Sequence, residues 1–399
     1  MSELALLGGE PTRIKPFPRW PLFGAEEERE LLDALRSGYW SVGGAKLAVF
    51  EREFASFQHA KYGLACTSGS TALLIALKAL GVKRGDHVII PSYTFLATAT
   101  AVIDAGAVPI FADIEPETYT LSAEDAENRI TPKTRCIIPV HLAGCPADMS
   151  KILKLAAEYG LRVLEDAAQA HGAEWLSRRV GSIGDAGAFS FYQSKNMTAG
   201  EGGFITTNNE EIAELAWSYH NVGRDRRRGW YEHVRYGWNF RMTEFQAAVL
   251  LAQLRRLPKL MKKREENAKY LTHLLESIPG VEPLRRPNYV TSHAYHLFIF
   301  KYRREEFNGV GKERFVEALR AEGIPCSAGY KPLYSYGFLW DEILESAQTP
   351  RELILTNTEQ ASREEAVWIP QNVLLAEREE LEDIARAIEK IRKNSRHLV

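Results

Sequence analysis

The sequence predicts an α/β protein: a large domain with a mainly parallel sheet covered by helices, followed by a smaller C-terminal α+β domain. Short, almost wholly apolar segments such as His87–Pro91 and Val108–Ala112 alternate with helical patterns through the first two-thirds of the chain. Such segments are typical of parallel strands that are buried on both faces. The alternation stops near Thr243, where longer amphipathic helices begin. We therefore expect loops at the carboxyl edge of the large sheet to carry the ligand site.

The spacing of apolar side chains predicts the order of elements in the large domain. Apolar residues three or four apart predict helices, and short apolar runs predict strands. The predicted helices are 26–36, 47–58, 70–80, 95–105 and 151–159, and the predicted strands are 87–91, 108–112, 136–140, 162–165, 188–191 and 203–206.

The rest of the chain predicts the smaller domain and its connection. An amphipathic helix is expected to begin at Thr243, to be interrupted by Pro258, and to give way to a charged helix that runs to about Ser277. An apolar strand over 296–300 and helices over 312–322 and 377–393 follow. We place the large domain, with an N-terminal arm, at 1–255 and the smaller domain at 256–399.

Composition excludes several classes of protein and partner. The 399 residues carry 50 Lys and Arg against 52 Asp and Glu, a net charge of −2, and 45% are hydrophobic. This is ordinary globular composition and gives no reason to expect nucleic acid or a membrane surface as a partner. The longest uncharged run, 87–103, is too short and polar to span a membrane. Four cysteines without paired spacing and the lack of a signal-peptide pattern predict a cytoplasmic protein, and the histidine spacing predicts no metal site.

Two segments are suited to a flat, phosphorylated ligand. Residues 67–72 (TSGSTA) form a hydroxyl-rich turn before a helix, where free N–H groups and the helix dipole favour a phosphate. On its own, this pattern is better explained as a simple N-cap. Phe95 follows the predicted strand 87–91 and has the shape to cover the face of a ring, although most aromatic side chains in such places belong to a core.

Three further segments place an acid, an amine and two polar side chains after strands or before a helix. The strand at 162–165 ends in Glu165 and Asp166, and a carboxylate there either pairs with a protonated ring nitrogen or caps the next helix. Lys195 lies among uncharged residues before a Gly-rich turn, as a nucleophile of lowered pKa would, or as a solvated loop lysine. Asn239 and Arg241 either contact a ligand or hold a domain junction.

Together these parts predict pyridoxal 5′-phosphate as the cofactor. This cofactor needs a lysine for its Schiff base, an acid against its pyridinium nitrogen, an anion cup for its phosphate and a flat group against its ring. The chain offers all four in one order on one α/β frame. The 29 residues from Asp166 to Lys195 leave room for one hairpin or crossover and a strand.

The chain resembles the DegT/DnrJ/StrS family of sugar and cyclitol aminotransferases, which have the fold-type-I architecture of pyridoxal phosphate enzymes. The resemblance covers nearly the whole chain, and its lysine and NFRMTE segments are the most specific. The segments that carry it are GGEP (8–11), PRWP (18–21), SGYWSVGG (37–44), TSGSTAL (67–73), PSYTF (91–95), EDAAQAHGA (165–173), FSFYQSKNMTAGEGG (189–203), NFRMTEFQAAVLLAQL (239–254) and HAYHLFIF (293–300).

The resemblance implies a role for each residue that faces the cofactor ring. Lys195 would form the Schiff base and later move the proton, and Asp166 would pair with the pyridinium nitrogen. Phe95 would stack on the ring, with Gln169 on its other side near the phenolic oxygen.

The resemblance also implies a phosphate site and a partner. Ser70, Thr71 and Ser190 would bind the phosphate. Asn239 would reach the phosphate of the neighbouring subunit's cofactor, so the implied unit is a homodimer with shared active sites.

The implied activity is transfer of an amino group from glutamate or glutamine to a keto sugar or keto cyclitol by a ping-pong mechanism. The chain looks most similar to the branch that aminates scyllo-inosose-type ketones and to the related aminohydroxybenzoate synthases. Alternatives are an aminohydroxybenzoate synthase-like enzyme, a nucleotide-sugar aminotransferase and a non-catalytic sensor that binds the cofactor. Residues 224–228 (RDRRR) would suit a nucleotide diphosphate, or they form a solvated loop.

Overall fold

A seven-stranded sheet forms the centre of the larger part of the chain. The computed structural model describes residues 3–344 and 353–399. The strands of this sheet lie in the order β1-β9-β8-β5-β4-β2-β3, and two three-stranded sheets, β11-β6-β7 and β10-β12-β13, accompany it. The strands are β1 (Tyr62–Cys66), β2 (His87–Pro91), β3 (Val108–Ala112), β4 (Thr134–Ile137), β5 (Arg162–Asp166), β6 (Glu174–Trp175), β7 (Arg178–Arg179), β8 (Ala186–Ser190), β9 (Gly203–Thr207), β10 (Val281–Pro283), β11 (Val290–Ser292), β12 (Leu297–Tyr302) and β13 (Ala366–Pro370).

Helices cover both faces of the large sheet. They are α1 (Ala25–Ser37), α2 (Ala45–Phe57), α3 (Gly69–Ala79), α4 (Ala97–Asp104), α5 (Ala123–Asn128), α6 (Met149–Tyr159), α7 (Glu210–His220), α8 (Glu244–Glu276), α9 (Lys312–Ala321), α10 (Gly337–Leu344), α11 (Thr356–Glu359) and α12 (Arg378–Asn394). Successive residues of β2 show why: Val88 and Ile90 pack with α3 and α4, whereas Ile89 packs on the face of α2 and α6. Because side chains alternate along a strand, an apolar run is buried on both faces only if both are covered.

The mainly parallel sheet that the sequence predicts is confirmed, with one antiparallel member. Strands β2, β3, β4, β5 and β8 pair in parallel. Strand β9 runs antiparallel between β8 and β1, so β1 points in the direction of the parallel set. The spacing of 29 positions from Asp166 to Lys195 holds the hairpin β6–β7 and strand β8, as its length predicts.

Strand β1 is the strand of the seven-stranded sheet that the sequence analysis missed. Its sequence, YGLAC, offers only three consecutive apolar residues after Gly63. A side chain at Gly63 would meet the ring of Phe204 at 2.4 Å and Ala55 at 2.8 Å, so this position requires glycine to let β9 and α2 approach. Tertiary contacts rather than an apolar run therefore define this strand.

Two predicted strands are displaced from their expected bounds. Strand β4 ends at Ile137 rather than continuing to 140, although the chain still pairs with the end of β5: the Asp166 N–H donates to the Pro139 carbonyl at 2.9 Å, and Val140 forms an isolated bridge with Asp166. Strand β8 begins two residues earlier than expected, at Ala186. Neither displacement changes the order of elements.

The smaller C-terminal sheet is wholly antiparallel and packs against α9, α12 and the second half of α8. Its core holds Phe300, Phe315 and Ile388. Leu4 and Phe17 of the N-terminal segment belong to the same core, although the predicted boundaries group this segment with the large domain. The 255/256 boundary lies inside α8, which contributes side chains to both cores. The two-domain division stays a prediction.

Helix α8 runs without interruption through Pro258, so the predicted break there is wrong. Leu254, Leu257 and Met261 are buried on one side of this helix, whereas Pro258 is exposed. The packing of this buried side outweighs the local cost of the main-chain hydrogen bond that proline cannot form. None of the described helices, α8 included, is long and apolar enough to cross a lipid bilayer.

Replacing Pro258 with alanine should stabilise the protein. The substitution restores one main-chain hydrogen bond in an exposed part of a helix, which is expected to add about 1–3 kcal/mol to the free energy of unfolding. Scanning calorimetry of Pro258→Ala should show a raised Tm, with Lys259→Ala as the exposed neighbouring control. An unchanged or lower Tm would mean that the fold needs the geometry that proline imposes here.

Candidate active site

The segments that the sequence analysis singled out meet at one edge of the large sheet. Strands β1, β2, β5 and β8 end at this edge because they point in the same direction. The TSGS turn follows β1, Phe95 follows β2, Asp166 ends β5, and Lys195 follows β8. The antiparallel strand β9 begins at the same edge with Gly203. Topology thus brings together groups that are up to 128 residues apart in the chain.

Asp166 is a buried carboxylate with few partners. Its Oδ2 accepts a hydrogen bond from the Thr98 hydroxyl at 2.9 Å, and its Oδ1 accepts one from the Ala168 N–H at 3.2 Å. Burial raises the pKa of Asp166, and these hydrogen bonds and the charge of Lys195 oppose this only in part. A cation beside Asp166 would therefore be strongly favoured.

Glu165, the neighbouring acid, has a structural role. It lies on the opposite face of β5 and is fully buried. Its carboxylate accepts hydrogen bonds from His141 Nε2 at 3.0 Å and from the backbone N–H groups of Gly181, Ile183 and Gly184. Of the two acids at the end of β5, Glu165 thus holds a loop, and Asp166 faces the candidate site.

Lys195 is held at the sheet edge by a short loop. Its N–H donates to the Tyr192 carbonyl at 2.9 Å, and Thr198 Oγ1 donates to the Phe191 carbonyl at 3.0 Å, which closes the loop beside β8. Within the described residues, the Lys195 amine has no hydrogen-bond partner. Burial lowers the pKa of Lys195 to about 8, although the charge of Asp166 acts in the opposite direction. This lysine is therefore unlike a solvated loop lysine.

The start of α3 and Ser190 form a narrow cup. Ser68 caps the helix by accepting a hydrogen bond from the Thr71 N–H at 3.2 Å, and Thr71 Oγ1 donates back to the Ser68 carbonyl at 2.9 Å. The N-cap that the sequence also suggested is thus present, and Ser70 is exposed beside it. A side chain at Gly69 would lie 2.7 Å from Ser190 Cβ, so glycine keeps this cup open. Ser70 and Thr71 directly follow Gly69 in α3, and Ser190 lies against Gly69. Their binding of a phosphate stays a prediction.

Phe95 and Gln169 are linked through Tyr330. The Phe95 ring is 56% exposed, which is unusual for a phenylalanine next to a buried carboxylate. Its centroid lies 6.2 Å from that of Tyr330, whose hydroxyl accepts a hydrogen bond from Gln169 Nε2 at 3.2 Å. Gln169 Oε1 accepts from the Ala143 N–H at 2.7 Å, which fixes the orientation of the amide. An exposed aromatic face and an oriented amide thus flank the space above Asp166.

Asn239 lies apart from these residues. It is exposed, on a segment that runs beside the end of β1, where the Thr67 N–H donates to the Phe240 carbonyl at 3.0 Å. Arg241 on the same segment donates to Asn221 Oδ1 at 2.8 Å. The predicted contact of Asn239 with a second subunit's cofactor stays a prediction.

Sequence reasoning missed two side chains of the site. Thr98 lies one helical turn after Thr94, with their hydroxyls 3.2 Å apart, and this i, i+4 pair in PSYTFLAT is a local signal that points to the strand end. Tyr330 gives no such signal, because the residue it contacts, Gln169, is 161 positions away. Only the tertiary fold reveals it.

A cavity of about 610 Å³ opens beside Gln193 and Ser194, the two residues that precede Lys195, although Lys195 itself does not line it. Tyr192, which precedes the lysine loop, and Trp20, Tyr330 and Trp368 give it aromatic walls. In the described part of the chain, no Asp, Glu, Lys or Arg side chain lines it. Its walls suit a small ring that carries hydroxyl groups.

The arginines of 224–228 lie in a different cavity, among acids. Arg226 pairs with Glu214 at 3.7 Å, and Arg227 pairs with Asp225 at 2.8 Å. Arg224 covers the Trp230 ring, with its Cζ 3.8 Å from the ring centroid. These cations are largely neutralised within the chain.

Known proteins match the chain over nearly its whole length. A sequence model of the DegT/DnrJ/EryC1/StrS aminotransferase family matches residues 21–390. The chain is 37% identical to 3-amino-5-hydroxybenzoate synthase of Amycolatopsis mediterranei, over 93% of this chain and 96% of that protein. It is 34% identical to L-glutamine:2-deoxy-scyllo-inosose aminotransferase of Streptoalloteichus tenebrarius, over 98% and 97%. The crystal structure of 3-amino-5-hydroxybenzoic acid synthase superposes with a TM-score of 0.88 at 35% identity and covers 96% of this chain and 100% of that chain.

Lys195 should react with electrophiles at a lower pH than an ordinary lysine. Because burial lowers its pKa from 10.5 to about 8, its neutral form should grow as the pH rises through 8. Mass spectrometry of cofactor-free protein labelled briefly with acetic anhydride should show half-maximal modification of Lys195 near pH 8. In Asp166→Asn, which removes the charge that raises this pKa, the midpoint should fall further. A midpoint near 10.5 in the unmodified sequence would contradict this environment.

Proposed function

The chain belongs to the DegT/DnrJ/EryC1/StrS aminotransferase family, and on that premise we propose that it transfers an amino group from glutamine or glutamate to a keto cyclitol or keto sugar, with pyridoxal 5′-phosphate as its cofactor. The observation that carries this proposal is the placement of the half-buried Lys195 near the buried Asp166 carboxylate, at the ends of the paired strands β8 and β5. This pair suits a cofactor that carries both an aldehyde and a basic ring nitrogen.

The residues at the sheet edge fit this cofactor. Ser70, Thr71 and Ser190 surround the free N–H groups of the α3 N-terminus, where a phosphate is favoured. Glycine at position 69 lets the start of α3 lie close to Ser190, which supports an anion held between them. Asp166 would face the ring nitrogen, and the exposed face of Phe95 supports a contact with a flat ring.

When bound, pyridoxal phosphate supplies an aldehyde that carries the amino group and a ring that takes up electrons from the substrate carbon. Asp166 would hold a proton at the ring nitrogen, since a buried carboxylate without a cation is costly. The Lys195 amine, with its lowered pKa, would take a proton from the substrate carbon and return it near neutral pH. Gln169 and Phe95 would orient the ring and exclude water from its two faces.

A keto cyclitol or an uncharged keto sugar is the acceptor that the cavity favours. Its described walls carry aromatic and neutral polar side chains, which suit a polyhydroxylated ring better than a nucleotide diphosphate. The relative from Streptoalloteichus tenebrarius is named for a reaction of this kind. A nucleotide-sugar acceptor and an aminohydroxybenzoate synthase-like reaction are the alternatives.

We also propose a homodimer in the cytoplasm. Two segments expose large aromatic side chains. The SGYW segment exposes Tyr39 and Trp40, and residues 230–240 expose Tyr231 and Tyr236. Burial of these rings against a second copy would bring Asn239 to the partner's phosphate site. All four cysteines are buried and unpaired, which supports a reducing compartment.

Replacing Lys195 should abolish turnover while leaving the fold intact. Lys195→Ala removes the amine that bonds to the cofactor and moves the proton, so the rate of amino transfer should fall by at least roughly 10²–10⁴-fold. The visible absorption band of the protein-bound cofactor should disappear as well. Lys83→Ala, an exposed lysine, is the control. Retention of both the band and turnover in Lys195→Ala would overturn the proposal.

The acceptor is identified by a half-reaction. The enzyme is first loaded with the amino group from L-glutamine, and a panel of keto cyclitols and nucleotide keto-sugars is then added. Return of the visible band should be fastest with a scyllo-inosose-type ketone, because the cavity beside Lys195 is uncharged. A faster return with a nucleotide keto-sugar would support the alternative acceptor instead. The same ranking in a variant with all four arginines of 224–228 changed to alanine would remove the argument for a diphosphate site there.

A further inference from the structure

Arg264 of α8 is a buried cation without an acid. Its side chain is fully buried, and in the described part of the chain no carboxylate lies within ion-pair distance of it. Its Nε and one terminal nitrogen both donate to the neutral Oε1 of Gln371, whereas the other terminal nitrogen, Nη1, has no hydrogen-bond partner among the residues that the structure describes. Arg13, another buried arginine, has two carboxylate partners at 2.8 Å, Glu380 and Asp383.

An uncompensated charge of this kind is costly to bury. Burial lowers the pKa of Arg264 to about 9, so the side chain still carries its charge at neutral pH. Proteins normally pair a buried charge with one of opposite sign, or hold it for a ligand that brings one. The free protein therefore keeps a local positive potential behind Gln371 that an anion would relieve.

The side-chain amide of Gln371 lies between the Arg264 guanidinium and the cavity. Because its Oε1 accepts both hydrogen bonds from Arg264, its NH2 group is turned away from the guanidinium. Among the described residues this NH2 group has no acceptor, and Gln371 lines the cavity. The amide is thus a donor of fixed orientation whose N–H bonds are polarised by the charge behind it.

Two further contacts tie this pair to the lysine loop. The Arg264 guanidinium lies 5.2 Å from the centroid of the Trp20 ring, and Trp20 Nε1 donates to the Gln193 carbonyl at 2.9 Å, two residues before Lys195. His296 lies in the same cavity, and burial keeps its pKa well below the ordinary value, so it adds no positive charge. Arg264 therefore adds a buried positive charge behind this wall of the cavity.

We infer that Gln371 and Arg264 form the site that binds the α-carboxylate of the amino-acid donor, with the Gln371 NH2 group in contact with the carboxylate and Arg264 as the positioning residue that supplies the charge. This inference rests on the proposed aminotransferase function and adds to it the residues that recognise one of the two substrates.

The donor rather than the acceptor is assigned to this pair because of charge. Both glutamine and glutamate carry an ionised α-carboxylate, and in glutamine it is the only anionic group. A keto cyclitol carries none. A polarised N–H donor in front of a buried cation stabilises an anion more than a hydroxyl.

Two variants separate this role from a purely structural one. Gln371→Glu keeps the size of the side chain, but it places a carboxylate against Arg264, which both removes the NH2 donor and cancels the charge. Arg264→Met removes the charge and keeps an apolar side chain of similar length. Gln371→Glu is not expected to lower the Tm, since it gives the buried guanidinium an acid. Arg264→Met leaves Gln371 Oε1 without a donor among the described residues, so a modest fall in Tm is expected for it. Arg256→Met is the control, because Arg256 lies on the same helix and pairs with Glu27 at 2.9 Å.

The two half-reactions of the holoenzyme are measured separately. Gln371→Glu and Arg264→Met should raise the L-glutamine concentration for half-maximal bleaching of the visible band by about 10- to 100-fold. This factor corresponds to the loss of one charge-assisted hydrogen bond. The dissociation constant of glutarate, a carboxylate that cannot react, should rise similarly by calorimetry. Glutamine α-amide, which lacks the carboxylate, should bind weakly to all forms and be insensitive to the variants. The KM for the keto acceptor should change less than twofold, and Arg256→Met should match the unmodified enzyme.

The outcomes distinguish this inference from the proposed function. If the unmodified protein transfers no amino group from any donor, the proposed function fails. If it does so and the variants keep normal affinity for L-glutamine and glutarate, or raise the KM of the acceptor as much as that of the donor, the carboxylate site is wrong and the aminotransferase assignment stands. The carboxylate site would also be wrong if Arg264→Met failed to fold while Gln371→Glu folded and bound L-glutamine with normal affinity.

Discussion

The candidate site depends on burying the amine of Lys195 near the carboxylate of Asp166 at the carboxyl edge of the large sheet. Each group alone would be costly in the protein interior, and burial shifts the two pKa values in opposite directions, toward the neutral forms. The pair is held by backbone rather than by a direct hydrogen bond: Asp166 ends β5, and Lys195 follows β8, the strand paired with β5. The sheet therefore sets their separation and leaves the amine free for chemistry.

The surrounding scaffold is built so that other polar groups do not compete with this pair. Glu165, one residue from Asp166, is fully satisfied by His141 and three backbone N–H groups on the other face of β5. The glycine at 69 keeps the start of α3 close to Ser190. Because side chains alternate along a strand, the adjacent residues Glu165 and Asp166 face opposite sides of β5. Glu165 therefore holds a loop, whereas Asp166 faces the candidate site.

Charge is distributed unevenly between the two sides of the cavity beside Lys195. The walls that the structure describes are neutral and aromatic, which favours an uncharged ring, whereas the buried Arg264 lies behind one wall and favours an anion at Gln371. A ping-pong enzyme must bind an anionic donor and a different acceptor in turn at one place. A neutral cavity with Arg264 buried behind Gln371 suits both substrates. The Gln371 amide is polarised by the charge and can bind the anionic donor, while the guanidinium itself stays out of the space that the acceptor occupies.

The sequence alone determined the α/β fold class, the mainly parallel sheet and the family, because apolar runs and short motifs are local signals. The sequence also predicted roles for Lys195, Asp166, Phe95, Gln169 and the serines and threonine of the cup, in part through the family resemblance, and these roles stay predictions. It did not determine strand β1, which depends on the fit of Gly63 against Phe204, or the continuity of α8 through Pro258, which depends on which side of the helix is buried. The sequence also did not predict a role for Tyr330, Arg264 or Gln371. Their contacts join residues more than a hundred positions apart, and no local pattern records whether a buried arginine has an acid opposite it; only the packed chain decides that.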